Sequence, residues 1–122
     1  MSNQVVWFDL PVKDMARAVR FYAAVLGCEV KQEKMEGGME MAVLPHQGQD
    51  VGGCLVRGKD QQPSDKGPLL YFNAEGRLDR AIAAVAPNGG TVLAPRHAIG
   101  PYGFRAIVKD SEGNRIALHA MS

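Results

Sequence analysis

Two stretches of the sequence alternate an aromatic residue with a polar one in the same way. The first holds Trp7 and Asp9, and the second holds Tyr71 and Asn73. Residues two apart in a strand share a face of the sheet, so each pair would present a large ring beside a hydrogen-bonding group. A largely apolar surface with a few placed polar groups is typical of a site for small molecules. We therefore expect these four side chains to line a ligand pocket.

The C-terminal part of the chain contributes further candidate residues. The turn at residues 110–113 joins two predicted strands as a tight hairpin, and counting back from it places Phe104 opposite His119 and Ala106 opposite Ala117. In this register, Phe104 and His119 face the same pocket. Tyr102 comes just before the first of the two strands, where it would act as a lid over the pocket.

Each candidate also has a purely structural explanation. Trp7 and Tyr71 can fill a core between two halves of the molecule, which is the commoner role of large aromatic side chains. Asp9 and Asn73 can pair with each other or with backbone amides. His119 is close to the C-terminal Met121, where it can be exposed and without a role.

Composition limits the classes of protein to consider. A length of 122 residues, with 46% hydrophobic and 22% charged, is ordinary for one globular domain. Lys and Arg number 14 against 13 Asp and Glu, and this near balance argues against a nucleic-acid partner. No apolar stretch is long enough to span a bilayer, and the N-terminal residues lack the basic and apolar segments of a signal peptide. With two cysteines and no membrane partner, we expect a cytoplasmic protein.

Hydrophobic periodicity predicts two similar halves on either side of one polar linker. The helix of the first half has Asp14 as its N-cap and ends at Gly27. The predicted order is strand 4–10, helix 15–26, strands 28–35, 39–45 and 51–57, linker 58–67, strand 68–74, helix 78–85, and strands 91–94, 103–109 and 114–120.

The two halves also match position by position, which indicates a duplicated module. Residues 7–10 match residues 71–74, and the apolar helix positions 15, 18, 19 and 22 match positions 78, 81, 82 and 85. Matching order, polarity and spacing favour duplication over chance. We therefore predict a single domain over 1–122, with modules of about 1–58 and 67–122.

Two motifs stand out within this layout. One runs from LPVKD at 10–14 into AVRFY at 18–22 and LG at 26–27, and the other is VKDSEGNRIAL at 108–118. Together they resemble the vicinal oxygen chelate superfamily of glyoxalase I, bleomycin-resistance proteins and extradiol dioxygenases. The resemblance implies an α+β fold in which two βαβββ modules curl a mixed sheet into a cup, with the helices on its convex side. It also implies a homodimer with ligands in the cup.

In glyoxalase-type members, His, Glu or Gln side chains hold one divalent metal, so the resemblance implies where its ligands would fall. These positions are Trp7, Cys54, Leu69 (or Pro68) and Ala117. An indole and aliphatic groups cannot coordinate such a cation, and Cys54 alone is not a site. We therefore expect no metal and no other cofactor, and Cys54 joins the residues expected to line the cup.

Functions from different classes remain open. One is a metal-free binding protein of the glyoxalase/bleomycin-resistance type that holds a small aromatic or oxygenated ligand. Another is a metal-independent lyase or isomerase with Asp9 or His119 as general base. A glyoxalase-like metalloenzyme ranks third, because several ligand positions would have to be misplaced at once. The sequence shows no nucleophile with an adjacent base, which favours binding over catalysis but leaves open whether the protein is an enzyme.

Overall fold

Each half of the chain forms one strand, one helix and three further strands, in the order that the sequence predicts. The computed structural model describes residues 3–34 and 38–122, so the end of the predicted strand 28–35 lies outside the described residues. The helices are α1 (Met15–Leu26) and α2 (Leu78–Val85). The strands are β1 (Trp7–Pro11), β2 (Lys31–Lys34), β3 (Glu40–Val43), β4 (Gly52–Arg57), β5 (Leu70–Asn73), β6 (Thr91–Ala98), β7 (Phe104–Lys109) and β8 (Arg115–Ala120).

The strands build one four-stranded mixed sheet in each module. The order is β1-β4-β3-β2 in the first sheet and β5-β8-β7-β6 in the second. In each sheet the first and last strands of the module pair in parallel, and the other pairs are antiparallel. Across the described residues the two sheets stay separate and do not close into a barrel. The predicted α+β fold of two βαβββ modules is confirmed.

An apolar core lies between the helices and one face of each sheet. Alternate strand residues such as Leu55 of β4 and Leu118 of β8 belong to the same buried cluster as Phe21 and Val25 on the buried side of α1. The rings of Phe8 and Phe72 touch edge to face, with 5.6 Å between centroids, where β1 and β5 approach. Each sheet therefore also has a second face that the helices do not cover, named the helix-free face below.

The ends of α1 follow the local signals in the sequence. The carboxylate of Asp14 accepts a hydrogen bond from the backbone N–H of Arg17 at 3.1 Å, and Gly27 adopts the left-handed conformation with φ of 67°. The predicted start and end of this helix are confirmed. No helix in the described part of the chain is both long and apolar enough to cross a membrane.

The register between β7 and β8 differs by one residue from the prediction. Arg105, rather than Phe104, is the partner of His119. The cause is the turn, in which Asp110 pairs with Asn114 and Gly113 has φ of 95°, giving a three-residue loop instead of a two-residue one.

Neighbouring residues of a strand point to opposite faces of the sheet, so this shift by one residue puts Phe104 on the face opposite to that of His119. Ile107 now pairs with Ala117, so the predicted pairing of Ala106 with Ala117 is wrong, as is that of Phe104 with His119. The ring of Phe104 packs against the core, and Arg105 takes the place on the helix-free face.

The same turn fastens the second module to the beginning of α1. The buried carboxylate of Glu112 accepts hydrogen bonds from the backbone N–H groups of Lys13 and Asp14, each at 2.8 Å, and from both sides of the Arg17 guanidinium at 2.7 and 2.9 Å. Burial alone would raise the pKa of Glu112, but these hydrogen bonds lower it to about 2.

Two neighbours in the turn extend this attachment. Asp110 accepts a hydrogen bond from the buried hydroxyl of Tyr22 at 2.6 Å, and the Asn114 amide donates to the carbonyl of Pro11 at 2.7 Å. Asp110, Glu112 and Asn114 are called the hairpin clasp below. They all belong to the motif at 108–118, which is therefore a device that joins the modules.

Candidate functional site

The helix-free faces of β1 and β5 carry the aromatic and polar pairs that the sequence singles out. Trp7 and Asp9 lie on β1, and Tyr71 and Asn73 lie on β5. All four are exposed, with 42% of Trp7 and 48% of Tyr71 accessible to solvent. Neither aromatic side chain is part of the core, so the face on which they lie is open to a ligand.

On the first sheet, Asp9 is the centre of a small hydrogen-bonded cluster. Its Oδ1 accepts from the indole N–H of Trp7 and from the thiol of Cys54, each at 3.2 Å. Burial of Cys54 raises its pKa to about 11, and the hydrogen bond to Asp9 acts in the same direction. The thiol therefore stays protonated at neutral pH and is not a nucleophile there.

The indole of Trp7 lies across Gly52, its strand partner on β4. A Cβ atom at position 52 would lie 2.7 Å from Cζ3 of the indole and 2.9 Å from the ring of His46. His46 meets the indole edge to face, with 5.7 Å between ring centroids. Only glycine at position 52 leaves both rings where they are.

A pocket of about 380 Å³ lies on the helix-free face of the second sheet, lined by Tyr71, Ile99, Tyr102, Arg105 and His119. Tyr71, Tyr102 and His119 were predicted from the sequence as site residues. Ile99 and Arg105 were not. The signal that would have found Arg105 is Gly113, because a three-residue turn places Arg105 beside His119.

Arg105 is held in this pocket by two uncharged groups. Its Nε donates to Nε2 of His97 at 3.0 Å, and its Nη1 donates to the hydroxyl of Tyr71. Nδ1 of His97 lies 2.8 Å from the carbonyl of Pro95, which can only accept, so Nδ1 carries the proton and Nε2 is free to accept. Among the described residues, the guanidinium is thus fixed in orientation by neutral groups and not by a carboxylate.

His119 is also fixed by a backbone group. Its Nε2 lies 2.6 Å from the carbonyl of Tyr102 and must donate to it, which leaves Nδ1 as the acceptor of the neutral ring. Its ring meets Tyr71 edge to face at 6.1 Å. The side chain of Tyr102, 71% exposed, borders the same pocket.

The bend that places Tyr102 depends on Gly103. This residue has φ of 93°, and a Cβ atom there would lie 2.4 Å from the carbonyl oxygen of Ala120. A larger residue would have to push β7 away from β8 at the rim of the pocket.

Asn73 takes part in the fold and borders a second pocket. Its Oδ1 accepts from the backbone N–H of Glu75 at 2.9 Å, which closes the turn after β5. A pocket of about 310 Å³ lies next to the first and includes Gly52, Tyr71 and Asn73 in its lining. Tyr71 therefore borders both pockets.

The expected metal-ligand positions can now be compared with the structure. They hold Trp7, Cys54, Leu69 and Ala117, and only the thiol of Cys54 is a donor. Within 3–34 and 38–122, no group of three or more His, Cys, Asp or Glu side chains is placed to share an ion. These residues do not fit the divalent centre of glyoxalase-type members.

Comparison with known proteins agrees with this architecture. The chain is 26% identical over 112 residues to proteins of Mycobacterium bovis and Mycobacterium tuberculosis that bear the provisional name glyoxylase CFP32. The match covers 92% of this chain and 42% of theirs, so the chain spans less than half the length of these curated relatives.

Solved structures show the same fold at low identity. A glyoxalase/bleomycin resistance protein from Albidiferax ferrireducens T118 superposes with a TM-score of 0.73 and 20% identity, covering 97% of this chain and 98% of that one. A genomically encoded fosfomycin resistance protein from Listeria monocytogenes superposes with a TM-score of 0.69 and 15% identity, covering 100% and 94%.

The family model is the most specific of these comparisons. The model of the Glyoxalase/Bleomycin resistance protein/Dioxygenase superfamily matches residues 4–118, which include both modules and both motifs. The order of the ten elements and the two mixed sheets agree with that match. The chain therefore belongs to the Glyoxalase/Bleomycin resistance protein/Dioxygenase superfamily.

Proposed function

We propose that this chain binds a small aromatic or oxygenated molecule on the helix-free face of its sheets, without a metal centre. The observation that carries this proposal is the pocket of about 380 Å³ bordered by exposed Tyr71 and Tyr102. Its volume is in the range of small-molecule sites, and its polar groups, Arg105 and His119, are held in fixed orientations.

Physical chemistry favours an aromatic ligand for such a surface. Exposed tyrosine rings gain apolar contact when a flat molecule covers them, and a ring pair adds about 0.5–1.5 kcal/mol beyond the area that it buries. Membership of a superfamily whose name includes bleomycin resistance supports a binding role of this kind.

The proposal can be tested by titrating the protein with catechol and 2-naphthol while recording backbone amide shifts by NMR. We expect saturable shifts at Tyr71, Ile99 and Arg105, and weaker binding in Tyr102→Ala. Met39→Ala, which removes an exposed apolar side chain of the first module outside the pocket lining, is the matched control and should bind like the wild type. Shifts that do not saturate, or that map to the helices, would contradict the proposal.

The structure also favours one form of the enzymatic alternative. Nδ1 of His119 is unprotonated when the ring is neutral and Nε2 donates to Tyr102, which suits a general base in a lyase or isomerase. Asp9 suits this role less well, because it is outside the pocket lining and its Oδ1 already accepts two hydrogen bonds.

Proton abstraction by His119 has a direct test. In deuterated water, a base that removes a proton next to a carbonyl exchanges it for deuterium without net reaction. We would expect the wild type, but not His119→Gln, to speed deuterium incorporation at the methylene group of phenylpyruvate. Equal rates with both proteins would leave binding as the proposed function.

A homodimer in the cytoplasm completes the proposal. Val92 and Leu93 are exposed on β6, an edge strand whose unpaired backbone groups can pair with a second copy. Both cysteines, Cys28 and Cys54, are free thiols, which fits a reducing compartment. Light scattering should give twice the mass of one chain, and the mass of a single chain would contradict the dimer.

A further inference from the structure

We propose that Arg105 makes the pocket of the second module a carboxylate subsite, so that the ligand is an aromatic carboxylate. The carboxylate pairs with the guanidinium, and the ring lies against Tyr71 and Tyr102. This inference rests on the proposed function and adds the charge and shape of the ligand to it.

The position of Arg105 in the sheet places its side chain between two imidazoles. On β7 it pairs with His119 of β8 on one side and with His97 of β6 on the other. Directly paired residues of antiparallel strands share a face, so all three side chains lie on the helix-free face. Arg105 is half-buried there and lines the pocket.

The guanidinium keeps free hydrogen-bond donors. It has five N–H groups, and the described residues account for one bond from Nε and one from Nη1. The remaining N–H groups belong to Nη1 and Nη2, the pair that binds both oxygens of a carboxylate at once. Because His97 and Tyr71 already hold the side chain, a ligand loses little affinity to ordering it.

The charge of Arg105 is also uncompensated in the part of the chain that the structure describes. None of the ion pairs among the described residues involves Arg105. These ion pairs join Arg17 to Glu112, Arg57 to Glu40, Arg96 to Asp79 and Lys109 to Asp65.

A second cation lies on the same face. Arg115 of β8 is on the side of the second sheet that carries Arg105, and it has no ion pair among the described residues, whereas its strand partner Lys109 is paired with Asp65. A half-buried cation with no carboxylate partner attracts an anion.

The pocket selects the rest of the ligand. Tyr71, Tyr102 and Ile99 form apolar walls, and a volume of about 380 Å³ suits one or two fused rings. Arg105 is the one Lys or Arg side chain that lines the pocket among the described residues, and its guanidinium is held by His97. One fixed positive charge matches a carboxylate better than a doubly charged phosphate monoester.

Calorimetric titration with 2-naphthoate and 2-naphthamide tests this inference, because the two compounds share shape and differ in charge. In the wild type we expect 2-naphthoate to bind at least about tenfold more tightly, as charge-assisted hydrogen bonds to Arg105 would give. Arg105→Met should bind both compounds equally, at the affinity of the amide. Arg96→Met, which removes a cation from β6 that lies over Phe104, is the control and should keep the preference.

A second variant keeps the test independent of how Arg105→Met folds. Tyr71→Phe retains the ring but removes the hydroxyl that positions Arg105, so it should lower the preference for 2-naphthoate by a few-fold while leaving 2-naphthamide unchanged. An unchanged preference in both Arg105→Met and Tyr71→Phe would overturn the subsite.

The other outcomes separate this inference from the proposed function. Equal binding of the two compounds by the wild type, with amide shifts at Tyr71, would leave the aromatic site standing and overturn the carboxylate. Tighter binding of 2-naphthyl phosphate than of 2-naphthoate would replace the carboxylate by a phosphate. No saturable binding of any of these compounds would overturn both proposals.

Discussion

The two modules place a pair of residues at the same point of their sheets and use it differently. Asp9 pairs with Cys54 between β1 and β4, and Asn73 pairs with His119 between β5 and β8. In the first module the carboxylate accepts hydrogen bonds from its own neighbours. In the second module the imidazole of His119 borders a pocket that is also lined by the cationic side chain of Arg105. The two modules therefore differ at matching positions. The first sheet carries a carboxylate whose hydrogen-bond donors come from the same sheet, and the second carries a basic pocket.

The edge strands explain much of this difference. β2 has four residues in regular register with β3, whereas β6 has eight and shifts its register with β7 twice. Bulges of this kind re-aim side chains. Here they bring His97 against Arg105, where it holds the guanidinium over the pocket. The first module has the regular strand and no comparable arrangement among its described residues.

The loop before the last strand of each module, β4 or β8, also differs between the modules. In the second module, the hairpin clasp fastens the turn to α1 through buried carboxylates. In the first, residues 45–51 between β3 and β4 are exposed. The module with the pocket therefore also supplies the contacts that hold the two modules together, so that damage to its turn should be more costly than damage to the first sheet.

The largest effect on stability is expected from Glu112→Gln. The substitution removes the charge that accepts from Arg17 and two backbone amides, and we expect a loss of about 3 kcal/mol of unfolding free energy in urea. Glu40→Gln removes the partner of Arg57 on the first sheet, a partly exposed ion pair worth at most about 1 kcal/mol. Equal losses in the two variants would contradict the asymmetry between the modules.

Acid should weaken the wild type through the same residue. The folded pKa of Glu112 is about 2, below the usual value of a glutamate, so the unfolded chain binds more protons between the two values. Stability from this group is therefore present above about pH 4.5 and is lost as pH falls towards 2. We expect a loss of about 2 kcal/mol from this residue between pH 7 and pH 3.

Urea unfolding at a series of pH values measures this loss. Glu112→Gln is the control, because it lacks the titrating group and should lose less stability over the same range. The same pH dependence in both proteins would assign the effect to other carboxylates.

Local signals predict much of the fold, because the residues that start and end a helix or strand bond to groups only a few positions away in the sequence. Asp14 and Gly27 bound α1 as expected, and all ten helices and strands lie near their predicted places. The strand predicted at 91–94 extends to Ala98 through Pro95, because β6 is an edge strand, where a proline need not donate to a neighbour.

The site was harder to predict, because it depends on register. Alternation along single strands singles out Tyr71 and His119, which line the candidate pocket, whereas Arg105 depends on the length of the turn that ends at Asn114. The contact of His97 with Arg105 depends in addition on the bulges of β6, which hydrophobic periodicity does not mark. Contacts between strands are therefore the part of the candidate site that local sequence signals do not predict.

A smaller effect is expected from Gly52→Ala on the first sheet. A methyl group at this position would overlap the indole of Trp7 and the ring of His46, and because Trp7 is partly exposed it can move at a cost of about 1 kcal/mol. Trp7 is the only tryptophan, so its emission should shift to longer wavelength as the indole becomes more exposed. Binding of 2-naphthoate should stay unchanged. A loss of that binding would mean that the first sheet contributes to the site.

The smallest effect comes from exchanging the acidic and amide residues of the two modules. Asn73→Asp keeps the oxygen that accepts from Glu75 but adds a negative charge next to Tyr71 on β5, so binding of 2-naphthoate should weaken by about two- to fivefold through repulsion. Asp9→Asn removes a charge at the matching position of β1, and because Asp9 lies outside the lining of the basic pocket the affinity should change by less than about twofold. Calorimetric titration at low and high salt measures both, and the effect of Asn73→Asp should shrink as salt screens the charge. A larger effect of Asp9→Asn than of Asn73→Asp would place the ligand across both sheets instead of on the second.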